Sequence, residues 1–197
     1  MAKLYFRYGA MNSGKTTALM QVAFNYEERG MHIVLLKPSS DTKGRDVVIS
    51  RLGIERKVDA LVTAEDNVRD IVSDFNRRRE IACVLVDEAQ FLSAEQVKQL
   101  LDVAVLDDIP VICYGLRVDF RREGFPGSIR LLLLAHSIEE LKTICRCGRK
   151  AIFNGRMVNG KFVFSGEQIA IDGEDEVSYE SLCGQCYERE LQKAQTE

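Results

Sequence analysis

Short apolar runs and helical apolar stripes alternate along the first 140 residues. The continuous runs predict buried strands at residues 3–8, 32–36, 81–86 and 111–114. Between them, apolar residues recur every three or four positions, as on one face of a helix. These stripes run from Leu19 to Tyr26, from Val68 to Phe75 and from Val97 to Ala104. Strands that alternate with helices predict an α/β fold, in which helices flank an open parallel sheet.

Capping residues and prolines predict where these elements end. Thr63 is expected to begin the second helix as its N-cap, and Ser93 with Gln96 forms a capping-box pattern for the third. Pro38 is expected to end the second strand and to open a polar loop over residues 38–60, with an extra strand around Val47 to Ser50 as the alternative for part of it. Surface loops of this kind often carry functional residues.

The composition changes near residue 144. Four of the six cysteines lie beyond this point, and Asn159-Gly160 predicts a tight type I′ turn between two strands. With 197 residues, the chain has room for one full-sized core and a small additional unit. We therefore predict an α/β domain over residues 1–140 and a small cysteine-containing domain over residues 141–197.

A phosphate-binding pattern, G-x-x-x-x-G-K-[ST], follows the first predicted strand. It is complete in Gly9, Ala10, Met11, Asn12, Ser13, Gly14, Lys15 and Thr16. The glycines let backbone N–H groups surround phosphate oxygens, the lysine reaches the β- and γ-phosphates, and the threonine hydroxyl binds Mg²⁺. A strand before the loop and a helix after it are the context that this motif needs. The sequence therefore predicts a site for a nucleoside triphosphate with Mg²⁺.

An acidic pair, Asp87-Glu88, ends the predicted strand at residues 81–86. A carboxylate at this position holds the hydrated Mg²⁺ of phosphate-loop proteins, and we assign this role to Asp87 rather than interpret the pair as ordinary loop acids. Glu88 has no metal to bind, so it can accept a proton from an attacking nucleophile. His32 and His136 fall at the ends of predicted elements and are interpreted as structural. Glu88 is therefore the predicted catalytic base.

The cysteines beyond residue 144 form two close pairs, Cys145-x-Cys147 and Cys183-x-x-Cys186. Four thiolates in two such pairs make a tetrahedral Zn²⁺ site, and because sulfur fills every position the metal is expected to be structural. A domain of about fifty residues needs such a metal, since its core alone is too small. Unpaired thiols or a redox couple are the alternatives. The pattern favours a small zinc-binding, ribbon-like domain.

Charge and hydropathy narrow the class of protein. Hydrophobic residues make up 46% of the chain and charged residues 29%, as in globular proteins, and no run approaches the roughly 20 apolar residues of a membrane span. The formal net charge of −3 predicts no broad nucleic-acid surface. The cluster Arg77-Arg78-Arg79 is interpreted as a solvated helix end. With no signal-peptide pattern, we expect a cytoplasmic protein.

Two phenylalanines, Phe120 and Phe125, lie in a charged, glycine-rich segment between the two predicted domains. Large apolar side chains are unusual in such a loop, because they need something to cover. They either form the wall of a site for a flat ring or fill the junction between the domains.

Five motifs in this order resemble the thymidine kinases of the bacterial and animal-cytosolic type, the type II thymidine kinase family. They are the phosphate loop, Asp-Glu-Ala-Gln-Phe at 87–91, the segment from Asp119-Phe120 to Phe125, Leu-Lys-Thr-Ile-Cys at 141–145, and Tyr179-x-x-x-Cys183-x-x-Cys186. The resemblance covers about residues 3–187. It implies transfer of the γ-phosphoryl group of ATP to the 5′-hydroxyl of thymidine, with Glu88 as proton acceptor. It also implies a homotetramer inhibited by thymidine triphosphate.

The same resemblance implies two sets of binding residues. The ATP and Mg²⁺ site comprises the phosphate loop with Asp87, Glu88, Ala89 and Gln90. The nucleoside site comprises Met11, Phe91, Phe120 and Phe125, with Tyr179 beside the deoxyribose and Ile171 within a loop, residues 169–179, that covers the thymine.

The chain departs from the family pattern in three places. One residue separates the first cysteine pair, where many members have two. The covering loop is longer and more acidic than the usual Gly-Gly form, which bears on nucleoside preference. A lysine, Lys43, stands where an arginine is common, so the cation that neutralises phosphoryl charge is Lys43, Arg45 or Arg51.

Two other functions fit parts of the pattern. Asp-Glu-Ala-Gln also resembles the acidic motif of nucleic-acid-stimulated ATPases, but such motors need two large α/β domains. A nucleotide-gated zinc-ribbon adaptor is the non-enzymatic alternative. Its ribbon should be basic for RNA binding, whereas residues 167–180 are acidic.

Overall fold

The structure, a computed structural model, describes residues 1–40, 46–168 and 176–196. Strands and helices alternate through the first 140 residues, as the apolar pattern predicts. The elements are β1 (Leu4–Tyr8), α1 (Lys15–Glu27), β2 (Ile33–Pro38), β3 (Val47–Ile49), β4 (Glu55–Lys57), β5 (Ala60–Val62), α2 (Val68–Arg78), β6 (Cys83–Val86), α3 (Ala94–Leu106), β7 (Val111–Gly115), α4 (Pro126–Leu134) and β8 (Ser137–Glu140).

Parallel strands in the order β5-β2-β6-β7-β1-β8 form the sheet of this α/β unit. Alternate residues of each strand face opposite sides, so Val84 of β6 packs with α2, α3 and α4 while Leu85 packs with α1. Helices therefore cover both faces, which explains the continuous apolar runs. The parallel α/β fold predicted from the sequence is confirmed.

One local prediction for this unit is wrong, and two others are confirmed with differences. The second helix begins at Val68 and is capped by Asn67, because Thr63 lies in a turn where its N–H donates to Asp66. Pro38 is the last residue of β2 and lies opposite Val62, a strand end where a missing N–H is tolerated. In the segment predicted as a polar loop, β3 is the extra strand expected around residues 47–50. Strands β4 and β5 were not predicted, because each has only three residues.

The remaining elements form the cysteine-containing unit. They are β9 (Thr143–Ile144), β10 (Lys150–Ala151), β11 (Phe153–Val158), β12 (Lys161–Val163), β13 (Val177–Leu182) and α5 (Gly184–Thr196). Strand β11 lies between β12 and β13 in an antiparallel sheet. Asn159 and Gly160 join β11 to β12 with φ of 50° and 79°, so the predicted turn is confirmed. No helix among the described residues is long and apolar enough to cross a membrane.

Candidate active site

The phosphate loop connects the carboxyl end of β1 to the first turn of α1. Gly14 has φ of +77°, a left-handed conformation that glycine adopts without strain. At Gly9 a Cβ atom would lie 2.4 Å from the carbonyl oxygen of Leu141, so only glycine fits against the start of the second unit. The loop is thus shaped by its own glycines and by residues distant in sequence.

Lys15, the first residue of α1, is buried. Its Nζ donates to the carbonyl oxygens of Ala10 at 3.0 Å and Gly9 at 3.4 Å. Burial lowers the pKa of Lys15, the negative charges of Glu88 and Asp87 oppose this, and the positive charge of Arg51 adds to the lowering. A cation among two carboxylates and open loop amides is suited to phosphate oxygens.

Asp87 and Thr16 meet at the end of the sheet where a metal–nucleotide complex would bind. The hydroxyl of Thr16 donates to Oδ2 of Asp87 at 3.3 Å, and Asp87 is held by its N–H bond to Leu36 in β2. The Asp87 oxygen lies at the end of β6, and the Thr16 oxygen lies at the end of the phosphate loop that follows β1. In the sheet, one strand, β7, separates β6 from β1. They are hard oxygen ligands of the type that Mg²⁺ prefers.

Glu88 lies just beyond β6 in a left-handed conformation, with φ of 49°. Its carboxylate accepts a hydrogen bond from Nε2 of Gln90 at 2.6 Å, and Oε1 of Gln90 accepts from the N–H of Leu116 at 3.0 Å. Gln90 is 1% exposed and Ala89 is fully buried. Gln90 thus holds the carboxylate of Glu88 from a buried position.

Aromatic side chains lie beside this carboxylate. Phe91 follows Glu88 in a single 3-10 turn, and its ring packs edge-on against Phe125 with centroids 5.5 Å apart. Phe120 is buried at the junction of the two units, where the hydroxyl of Tyr187 in α5 donates to its carbonyl oxygen at 2.6 Å. Phe120 is thus covered at this junction, whereas Phe91 is partly exposed.

Arg156 in β11 is a residue that the sequence analysis missed. Its guanidinium lies 3.7 Å from the ring centroid of Phe120, and Nε donates to the hydroxyl of Tyr179 at 2.9 Å. The other nitrogens donate to the carbonyl oxygens of Glu167 and Gln168 at 2.6 and 2.8 Å. No local signal marks it, because β11 mixes Asn154, Gly155 and Arg156 with apolar residues.

Some candidates fall elsewhere in the chain. Ile171, Lys43 and Arg45 lie outside the described residues. Arg51 is described and is close enough to Lys15 to influence its pKa. His136 accepts a hydrogen bond from the N–H of Leu4, at the opposite end of β1 from the phosphate loop, which agrees with a structural role.

The four paired cysteines converge in the second unit. Their sulfur atoms all lie within 4.8 Å of one another, and Cys147 and Cys183 are 3.5 Å apart. A tetrahedral Zn²⁺ with Zn–S bonds of about 2.3 Å needs sulfurs roughly 3.8 Å apart, so the cluster fits this ion. The N–H of Cys186 donates to the Cys183 sulfur, which lowers the pKa of that thiol to about 6 and favours the ligating thiolate. The one-residue spacing of the first pair therefore does not prevent convergence.

These features define a nucleotide-binding protein of the phosphate-loop class. They are the phosphate loop with its lysine, the oxygen pair of Thr16 and Asp87, and the Glu88 carboxylate, all at the carboxyl ends of parallel strands. Comparison with known proteins narrows this class. The family model described as thymidine kinase matches residues 2–187, and the chain belongs to the thymidine kinase family.

Individual relatives agree over nearly the full length. The chain is 49% identical to a thymidine kinase of Shewanella oneidensis over 185 residues, which cover 93% of this chain and 95% of that one. It is 47% identical to a thymidine kinase of Chromobacterium violaceum over 191 residues, 95% and 98% of the two chains. A thymidine kinase of Legionella pneumophila is 47% identical over 192 residues, 96% and 90%.

Proposed function

We propose that this protein transfers the γ-phosphoryl group of ATP to the 5′-hydroxyl of thymidine, giving thymidine monophosphate. The observation that carries the proposal is the position of Glu88. This carboxylate lies at the end of β6 beside the Asp87–Thr16 pair, and it is held by Gln90. Family membership supports the choice of donor and acceptor.

The phosphate loop binds the donor in this proposal. Backbone N–H groups of the loop other than that of Met11 surround the phosphates, and Lys15 balances the charge on the β- and γ-oxygens. Thr16 and Asp87 hold Mg²⁺, which offsets the charge that develops on the phosphoryl group. Arg51 is the described cation nearest to this role, since its charge already acts on Lys15.

Glu88 accepts the proton of the 5′-hydroxyl as that oxygen attacks the γ-phosphorus. A general base must lie within hydrogen-bond reach of the proton it takes, and the left-handed backbone of Glu88 turns its side chain away from the strand axis. The bond from Gln90 leaves the second carboxylate oxygen for the substrate. Most of the rate then comes from positioning the two substrates.

The nucleoside lies between the two units in this proposal. Met11, Phe91, Phe120 and Phe125 surround the base and sugar, and Tyr179 lies beside the deoxyribose. Phe91 and Phe125 support it because their rings pack together next to Glu88. Tyr179 supports it because Arg156 ties its hydroxyl to the side of Phe120.

Three further proposals follow from family membership. The cysteine cluster holds a structural Zn²⁺. The protein works in the reducing cytoplasm, where such thiolates persist.

The third proposal is that the protein assembles as a homotetramer. Ile129 and Leu133, one turn apart on α4, are 50% and 71% exposed in the single chain, and light scattering would measure the assembly.

The proposed activity is tested by ADP release with thymidine, deoxyuridine, deoxycytidine and the purine deoxynucleosides, and separately with single-stranded DNA. We expect stimulation by thymidine and none by DNA. Stimulation by DNA alone would instead indicate a nucleic-acid-dependent ATPase. ATP binding without turnover on any nucleoside would favour a nucleotide-gated adaptor.

A further inference from the structure

Met11, in the middle of the phosphate loop, is held on both sides by the cysteine-containing unit. Its N–H donates to Oδ1 of Asn154 at 2.7 Å, and its carbonyl oxygen accepts from the hydroxyl of Ser181. Asn154 and Ser181 are both buried, at 3% and 5% exposure. Buried hydrogen bonds of this kind define one position of the loop, because breaking them leaves polar atoms without water.

The two side chains act from a single place in the second unit. Asn154 in β11 and Ser181 in β13 lie directly opposite each other in the antiparallel pair. Opposite residues project from the same face of a sheet, with Cβ atoms about 5 Å apart. The Asn154 oxygen, an acceptor, and the Ser181 hydroxyl, a donor, therefore lie side by side and match the N–H and C=O groups of Met11. We call this arrangement the Met11 clasp.

Asn154 also reaches the segment that carries the aromatic residues. Its Nδ2 donates to the carbonyl oxygen of Val118 at 3.2 Å, two residues before Phe120. These two partners fix the orientation of the amide, since exchanging its oxygen and nitrogen would oppose donor to donor. A single buried side chain therefore joins the phosphate loop, the Phe120 segment and β11.

The clasp lies on the same strands as the proposed nucleoside contacts. Arg156 follows Asn154 by two residues in β11, and Tyr179 precedes Ser181 by two residues in β13. Residues two apart project from the same face, so the nucleoside-facing and clasp positions form neighbouring rows. If nucleoside binding shifts this face, the two hydrogen bonds of the clasp move Met11 with it.

We propose that Asn154 and Ser181 are positioning residues that couple the ATP site to the nucleoside site, so that each substrate tightens the binding of the other. The inference rests on the proposed function for the identity of the nucleoside. The clasp also commits the Met11 N–H to Asn154, so the loop amides that bind phosphate come from the other loop residues. The alternative is a purely structural tie that fixes the loop equally in every state.

Coupling is measured by the Kd of a non-hydrolysable ATP analogue with and without saturating thymidine. The ratio is a coupling factor, and linkage requires the same factor for thymidine with and without the analogue. In the unaltered protein we expect a factor of at least about 5, the lower end of typical coupling. In the Asn154→Ala Ser181→Ala variant we expect a factor near 1, with each ligand still binding alone.

The matched control is Ser165→Ala, an exposed serine of the same unit that lies outside the clasp and outside the proposed nucleoside site. It should keep the coupling factor of the unaltered protein. A factor near 1 in the unaltered protein, or an unchanged factor in the double variant, would overturn the proposal. A structural tie alone would lower the melting temperature of the double variant and leave the factor intact.

Amide hydrogen exchange tests the clasp without any nucleoside. Asn154→Ala should accelerate exchange at Met11 in the free protein, whereas Ser165→Ala should not. Unchanged exchange at Met11 would also overturn the proposal. If turnover shows a different nucleoside as the substrate, the proposed function fails, and the coupling factor is then measured with that nucleoside.

Discussion

The α/β unit and the cysteine-containing unit bury their interiors by different means. In the first, apolar side chains from both faces of the sheet pack under helices, and residues such as Leu85 and Leu100 are fully buried. The described core of the second unit contains three of the four clustered cysteines, with Leu182, Tyr187 and Ala151. Its interior is therefore built around the cluster of sulfur atoms.

The two units therefore depend on different sources of stability. A sheet covered on both sides is stabilised by buried apolar area, at about 25 cal/mol per Å². A unit of about fifty residues buries too little for that, so we expect a metal at the cysteine cluster and the contacts to the first unit to stabilise it. The first unit carries the phosphate loop, Glu88 and the aromatic residues proposed for the nucleoside, and the second adds Tyr179 to that site.

The largest effect is expected from removing the metal ligands. Because a structural Zn²⁺ contributes about 10–16 kcal/mol, comparable to the whole stability of a domain, Cys183→Ala Cys186→Ala should unfold the second unit. Thymidine binding should be lost while an ATP analogue still binds. Calorimetry and metal analysis would measure this.

The control for that experiment is Cys113→Ala, which removes a buried cysteine of β7 outside the cluster. Its metal content should not change. Intact thymidine binding in the metal-free double variant would show that the second unit folds without the metal, and the contrast between the two units would fail.

The next largest effect is a fall in kcat at unchanged substrate affinity, and we expect it at Glu88 in the α/β unit. Glu88→Gln keeps the size of the side chain but cannot accept the proton of the 5′-hydroxyl, so kcat should fall by about 10² to 10⁴. The Kd values of thymidine and of the ATP analogue should stay close to their original values. Glu95→Gln, on the exposed first turn of α3, is the matched control. Turnover near that of the unaltered protein would remove Glu88 from the proton-acceptor role.

Local patterns were enough to predict most of the α/β unit. The phosphate loop lies within eight consecutive residues, and Asp87-Glu88 directly follows its strand. Such features depend on spacing along the chain, which the sequence shows. The edge strand β8 was missed because its residues Ser137–Glu140 are mostly exposed and polar, and only pairing with β1 makes them a strand.

The contacts between the units were not predictable in the same way. Asn154 and Arg156 show no local motif, and their partners lie far away, as Met11 does for Asn154. The antiparallel register of β11 and β13 decides which side chains face the phosphate loop. The cysteine pairs were the exception, because the chemistry of zinc ligands is recognisable at any separation between the two pairs.

A smaller effect is expected at Arg156. Replacing it with lysine keeps the charge but removes the fork that reaches Tyr179 and two carbonyl oxygens. Hydrogen bonds to a charged group contribute about 1.5–3 kcal/mol each, so the KM for thymidine should rise about 10- to 100-fold. The kcat should change less, because Glu88 is untouched. Arg149→Lys, an exposed position in the same unit, is the control. A fall in kcat at constant KM would contradict a role in holding the nucleoside side.

The smallest effect tests whether the two units are energetically separate. Ser93 and Gln96 form the capping box of α3, as predicted, and Nε2 of Gln96 also donates to the carbonyl oxygen of Thr63 at 2.7 Å. Ser93→Ala should cost about 1 kcal/mol and lower the melting temperature by about 2–4 °C, whereas Ser93→Thr should retain most of the cap. Because these contacts stay within the α/β unit, the zinc content and the KM for thymidine should not change. A parallel loss of thymidine binding would mean that the units unfold together, and the metal would then stabilise the phosphate loop as well as its own domain.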